Sequence, residues 1–213
     1  MIVPSMTSKE LLIEVFRDFE IVQRKAIYLT QGLRREAVKS KSKYVQRIYD
    51  YRSKQYNNWI IIVDYLVGDP RFTVILYYVD EYGLNGISVN TDYKSLAHYT
   101  PHFLARYNER FVKQQNLSKL EILKGFIQKN PLETLNFDFD GKAGQNQFFG
   151  RVKEGTVFGY NEVFSDIGKE INHFKTFINN ELIHEGQVDD FNFTSNLYEK
   201  YWEELPKNIR RCA

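Results

Sequence analysis

The run WIIIVDYLV-GDPR-FTVILYYV, residues 59–79, decides the fold. Its two arms are rich in β-branched and aromatic residues, and Gly68-Asp69-Pro70-Arg71 between them are turn formers, so residues 58–80 read as a β-hairpin. Upstream the periodicity is helical. Thr7 and Glu10 have capping-box spacing, and Leu11, Leu12, Val15, Phe16, Phe19, Val22, Ala26 and Ile27 recur at the helical period. Beyond Gly32 the apolar positions thin to Val38, Val45, Ile48 and Tyr49, which predicts a second, more exposed helix and makes residues 1–55 a helical, basic segment.

Downstream, two helices are expected within residues 100–130. Thr100 and Pro101 supply an N-cap and a first-turn proline, and Ser118 with Glu121 form a second capping box beside the Leu117/Ile122 staple. Asn130-Pro131 stops the second helix. Strand-like segments then follow at Thr134–Phe139, Gln147–Val152, Thr156–Val163 and Ile171–Ile178, with turns at Asp140-Gly141 and Glu154-Gly155, giving a meander over 134–180. Leu197, Tyr201, Trp202 and Leu205 mark a closing helix over 196–205, ended by Pro206. Helices and strands come in blocks. The pattern predicts an α+β fold in which N-terminal helices and a central helix pair pack on a mainly antiparallel sheet, with a short C-terminal helix.

No repeat, low-complexity tract or long linker interrupts the 213 residues, so one domain, 1–213, is the expectation. Hydrophobic content of 43% suffices for a core, and sixteen Phe and fifteen Tyr against two Met make it a core of rings. The single cysteine, Cys212, excludes an intrachain disulfide and a Cys-based zinc site, and points to a cytoplasmic location. Neither a signal pattern at Met1–Lys9 nor an apolar run of membrane-spanning length occurs.

Net charge is only +2, but it is unevenly spread. Arg34, Arg35, Lys39, Lys41, Lys43, Arg47, Arg52 and Lys54 face only Glu36 and Asp50 in their stretch, whereas acidic residues outnumber basic ones from Pro131 onward. Such asymmetry suits a surface for RNA or another polyanion, at Arg34, Arg35, Lys39, Lys41, Lys43 and Arg47. It suits equally an acidic protein partner or a chain that pairs with itself.

Reactive residues concentrate at His98-Tyr-Thr-Pro-His102-Phe-Leu-Ala-Arg106-Tyr-Asn-Glu109-Arg110. At the helical angle, His102, Arg106, Glu109, Arg110 and Lys113 fall on one face and Phe103, Leu104, Tyr107 and Phe111 on the other. A His in a first turn beside guanidinium groups has the makings of a base near a phosphate, although such a face can also be merely solvated. His98 and His102 have i, i+4 metal spacing, but the Thr-Pro cap places His98 before the helix and no Glu follows it. His173 and His184 could join His102 only through the fold. Asp138 and Asp140-Gly141-Lys142 have a faint carboxylate-plus-lysine pattern of metal-dependent nucleases. Gly141-Lys-Ala-Gly144 lacks P-loop spacing, and neither a dinucleotide-binding glycine motif nor a Gly-x-Ser-x-Gly elbow occurs, so no cofactor is expected.

The helix pattern His102-x-x-x-Arg106-x-x-x-Arg110, followed by a second helix, a meander and Lys175-Thr176 on a late strand, resembles the RelE/barnase/colicin-type toxin ribonucleases over residues 98–190. The resemblance implies metal-independent cleavage of RNA using the 2′-hydroxyl as nucleophile. His102 would be the general acid or base, Arg106 and Arg110 would stabilise the phosphorane, and Lys175 or Thr176 would complete the site. The alternative expectation is a non-catalytic protein that docks nucleic acid or an acidic partner.

Overall fold

A computed structural model describes residues 1–66, 69–90, 94–130, 133–138, 146–179 and 188–204. The fold is α+β, with mainly antiparallel strands, and the chain divides into two compact units, 1–97 and 98–213. Of the sequence features above, Val67, Gly68, Pro131, Phe139, Asp140, Gly141, Lys142, Gly144, His184, Leu205, Pro206 and Cys212 lie outside the described residues. Among the described helices, none is long and apolar enough to cross a membrane.

Unit 1 is one long helix on a meander. Helix α1 spans Ser8–Ser40, begins at the Thr7/Glu10 capping box and closes on Lys41 in the left-handed region. It does not stop at Gly32. Leu33 and Ala37 carry the buried stripe of Leu12, Val15, Val22 and Ala26 onward, and this burial outweighs the roughly 1 kcal/mol that an exposed helical glycine costs. The expected second helix is therefore absent. Its basic residues are split between the last turns of α1 and a strand, β1 (Tyr44–Arg52), which pairs residue for residue with β2 (Asn58–Leu66) from Tyr44↔Leu66 to Arg52↔Asn58. Trp59, Ile60, Ile61, Ile62 and Val63 are buried consecutively, so β2 is covered on both faces, and Tyr44, Val45, Ile48 and Tyr49 have the β-branched and aromatic character of a neighbouring strand.

The 58–80 hairpin is β2 with β3 (Asp69–Asp80), in the register Ile60↔Ile75, but Asp69, Pro70 and Arg71, expected in the turn, are the first paired residues of β3, opposite Leu66, Tyr65 and Asp64. Strand β4 (Gly83–Val89), which the sequence reading missed, returns through a tight turn. Asp80 Oδ1 accepts from the backbone N–H of Tyr82 and Gly83, and Gly83 has φ 127°, a conformation suited to glycine. Buried Asp18 of α1 locks the β1–β2 turn, its Oδ2 accepting from Ser53 Oγ (2.6 Å), Asn57 Nδ2 (2.9 Å) and Trp59 Nε1 (2.8 Å).

The division between units falls within β5 (Ser95–Tyr99), a second strand unforeseen from sequence. In unit 2, α2 (Pro101–Tyr107) starts on Thr100, whose hydroxyl accepts from Phe103 N and donates to the Phe174 carbonyl at 2.8 Å. After Tyr107 the helix widens into a π turn, Asn108–Val112, closed by Lys113 N donating to Asn108 O at 2.6 Å. Helix α3 (Lys119–Lys129) follows its Ser118/Glu121 box and ends at Asn130. Strands β6 (Glu133–Asp138), β7 (Asn146–Val152), β8 (Gly155–Phe164) and β9 (Lys169–Ile178) form the antiparallel meander, ordered β9-β8-β7-β6. Helix α4 spans Val188–Glu204, beginning earlier than the expected 196, and meets β6 where Thr134 Oγ1 donates to Thr194 O at 3.2 Å. Among residues 192–204 of this helix, only Thr194 and Tyr198 are buried.

One face of the unit 2 meander is a ring cluster. Tyr99, Phe103, Tyr107, Phe126, Phe174 and Phe177 contact one another with centroids 5.0–6.5 Å apart, mostly edge to face. Strand alternation would place Phe174 and Phe177 on opposite faces. A β-bulge reconciles them: Phe174 pairs with Gly159 and Thr176 with Phe158, leaving Lys175 as the additional residue.

Candidate functional site

The sheet separates the residues that the sequence pattern grouped. His102, exposed, and Arg106 lie on α2, which packs against the ring face of β9. Arg106 pairs with Glu109 at 2.7 Å. The π turn breaks the expected straight-helix phase after Asn108, and Arg110 Nη1 donates to the Phe177 carbonyl at 2.8 Å. Phe111 meanwhile stacks on Tyr107 with rings 5.8 Å apart and 11° from parallel. Lys175 and Thr176 belong with the opposite face: Lys175 Nζ lies 5.1 Å from the centre of the Tyr160 ring, and Tyr160 is the register partner of His173. His98, at the end of β5, and His102, on α2, do not share a helix.

On that opposite face the structure gathers titratable groups into a chain. Period-2 alternation puts Tyr160 and Glu162 of β8 beside His173 and Ile171 of β9. His173 Nε2 lies 3.2 Å from Glu162 Oε2, and its Nδ1 lies 2.9 Å from Nδ1 of His98. Tyr160 stacks on the His173 ring at 4.5 Å and 18°, while the two imidazoles meet edge to face at 5.0 Å. His98 and His173 are 8% and 4% exposed, whereas Glu162 and Lys175 reach solvent.

This environment favours neutral imidazoles. Burial, then the neighbouring His173 and the Lys175 charge, hold His98 well below the usual histidine range. Burial also lowers His173, against an opposing pull from Glu162. One tautomer set satisfies the chain without a buried charge: His173 donates from Nε2 to Glu162 and accepts at Nδ1 from His98 Nδ1–H. Lys175 is lowered by burial and Tyr160 is raised by burial and by Glu162. Among the described residues no group of three or more His, Cys, Asp or Glu is arranged to hold a metal ion.

Glu162 and Tyr160 are the members that the sequence reading overlooked. Their signal was the Phe164–Lys169 turn, which sets Glu162 against Ile171 and Tyr160 against His173. Two further carboxylates are each held by a tyrosine of the ring cluster. Tyr99 donates to Glu133 Oε1 at 2.7 Å, and burial raises Glu133 to about 7 against that hydrogen bond. Tyr107 donates to Glu154, which also accepts from Asn130 Nδ2 at 3.1 Å, and burial raises the Tyr107 phenol.

In unit 1 the predicted basic residues do come together. Arg34, Arg35 and Lys39, with Gln31 and Val38, line a shallow open concavity on the last turns of α1. Lys41 and Lys43 follow immediately, and Arg47 on β1 pairs with Glu36. All six cations are exposed. Compared with known proteins, the chain matches no family model, no curated protein and no solved structure.

Proposed function

We propose that unit 2 cleaves RNA by metal-independent transfer of the phosphodiester to the 2′-hydroxyl, at the sheet face bearing Glu162, His173, His98, Tyr160 and Lys175. The observation that carries this reading is the hydrogen-bonded chain from solvent-reaching Glu162 through His173 to His98, with Lys175 beside it. Glu162 accepts the 2′-hydroxyl proton as the O2′–P bond forms. Lys175, whose lowered pKa makes it a readier donor, places its charge on the phosphorane and delivers a proton to O5′ as the P–O5′ bond breaks. The products are a 2′,3′-cyclic phosphate and a 5′-hydroxyl, and proton exchange with water resets both groups. Neutral His173 orients the Glu162 carboxylate without neutralising it.

A second reading, a nucleic-acid or acidic-partner binding protein without catalysis, is favoured by the six exposed cations at the α1–β1 junction. One experiment separates the two. The protein is incubated with a mixed RNA pool in EDTA and assayed for cyclic phosphate ends. Glu162→Gln and Lys175→Ala should each lower cleavage by about 10²- to 10⁴-fold, with His102→Ala near wild type. Loss in His102→Ala alone would return the site to α2. Absence of cleavage by the wild type, with salt-dependent RNA binding that Arg34→Ala/Arg35→Ala/Lys39→Ala weakens, would establish the binding reading.

A further inference from the structure

Strand β1 is an edge that invites a partner. Among the described strands only β2 pairs with it, and that pairing runs through nine residue pairs without a bulge. Natural edges are blunted by prolines, lysines, bulges or extreme shortness. Tyr44–Arg52 contains no Pro, Gly or Lys, and Tyr44, Ile48 and Tyr49 are exposed large apolar residues on it. Arg47, Ile48, Tyr49 and Asp50 are consecutive and all exposed, so the middle of the strand is open on both faces.

We infer that the protein dimerises by antiparallel pairing of β1 with β1 of a second copy, about a two-fold axis at Ile48. The choice of a second copy follows from self-complementarity. In an antiparallel pair, directly opposed residues share a face, so the two-fold must fall on a residue of the strand. Centring on Arg47 or Asp50 opposes like charges. Centring on Ile48 opposes Ile48 to Ile48, Arg47 to Tyr49, Gln46 to Asp50, Val45 to Tyr51 and Tyr44 to Arg52, each polar pair occurring twice. That register places no like charges together, sets two guanidinium groups beside tyrosine rings on either side of the centre, and buries the exposed isoleucine against its own copy. The inference does not depend on the ribonuclease reading.

Sedimentation of the full chain at micromolar concentration tests it. A dimer is expected for the wild type and a monomer for Ile48→Lys, which sets two ammonium groups against each other at the axis; unchanged Trp59 fluorescence reports that unit 1 remains folded. In a Cys212→Ser background, Ile48→Cys should cross-link under mild oxidation, because opposed Cα atoms about 4.5–5.5 Å apart lie within disulfide reach. Arg52→Cys should not, since its copies would stand about 27 Å apart at 3.4 Å per residue. A wild type that is monomeric to about 100 μM, a dimer that survives Ile48→Lys, or equal cross-linking at 48 and 52 would overturn the inference.

Discussion

Adding one methyl group at Gly159 and the same group at Gly32 should move stability in opposite directions. A Cβ built at Gly159 would stand 2.0 Å from the His173 carbonyl oxygen and 2.4 Å from Phe148 Cζ. The oxygen belongs to the β8–β9 ladder at the bulge and cannot move without parting the strands. Overpacking typically costs about 1–3 kcal/mol, and a clash with backbone places Gly159→Ala at or above the top of that range. At about 2–4 °C per kcal/mol for a chain of this size, the melting midpoint of unit 2 should fall by about 6 °C or more. Gly32 has nothing within 4 Å of its built Cβ and lies within α1, so Gly32→Ala should stabilise by about 1 kcal/mol through helix propensity alone. Urea titrations followed by far-ultraviolet circular dichroism, with Trp59 fluorescence reporting unit 1, measure both. A Gly159→Ala protein as stable as wild type would refute the bulge geometry. A destabilised Gly32→Ala would refute a helix continuous through that residue.

Asp18→Ala should destabilise unit 1 by about 3 kcal/mol or more, because it strands the Ser53, Asn57 and Trp59 donors in the interior, and the urea midpoint read by Trp59 fluorescence checks it. The lowered pKa values of His98 and His173 mean that the unfolded chain binds protons there before the folded one. Their contribution is present above about 6.5 and lost as pH falls through their folded values, so His98→Gln should flatten the acid limb of a stability-versus-pH curve. Glu133, raised to about 7, has the opposite sign: its contribution is full below its ordinary value of 4.5 and is lost as pH rises through 7, a slope that Glu133→Gln should remove. An unchanged curve for either variant would contradict the burial assigned to that group.

Local signals announced most of the elements. The capping pairs Thr7/Glu10 and Ser118/Glu121, the Thr100-Pro101 start and the 58–80 hairpin occur where their chemistry puts them, because each depends on neighbours in sequence. What escaped depends on distant partners. Tyr44–Arg52 has too sparse an apolar pattern to reveal its state until β2 lies beside it. Gly83–Val89 and Ser95–Tyr99 are short, and their burial comes from other strands. The candidate site was legible only as scattered residues. Lys175 was singled out and His173 noticed, and period-2 alternation puts those two on one face; the bulge decides instead which face Thr176 and Phe177 join, and no spacing rule announces a bulge. His102, Arg106 and Arg110 form a conspicuous pattern in one dimension, yet the sheet places them away from Lys175.

The same bulge makes the length of β9 negotiable by one codon. Phe174 and Phe177 share a face because Lys175 is counted on one strand and skipped on the other. Loss of the Lys175 codon would join Phe174 directly to Thr176, and the register Gly159↔Phe174, Phe158↔Thr176, Val157↔Phe177 would continue as regular pairing with both rings on the aromatic face. The gene can therefore lose that letter and keep the ring cluster, while the charge beside Tyr160 goes with it.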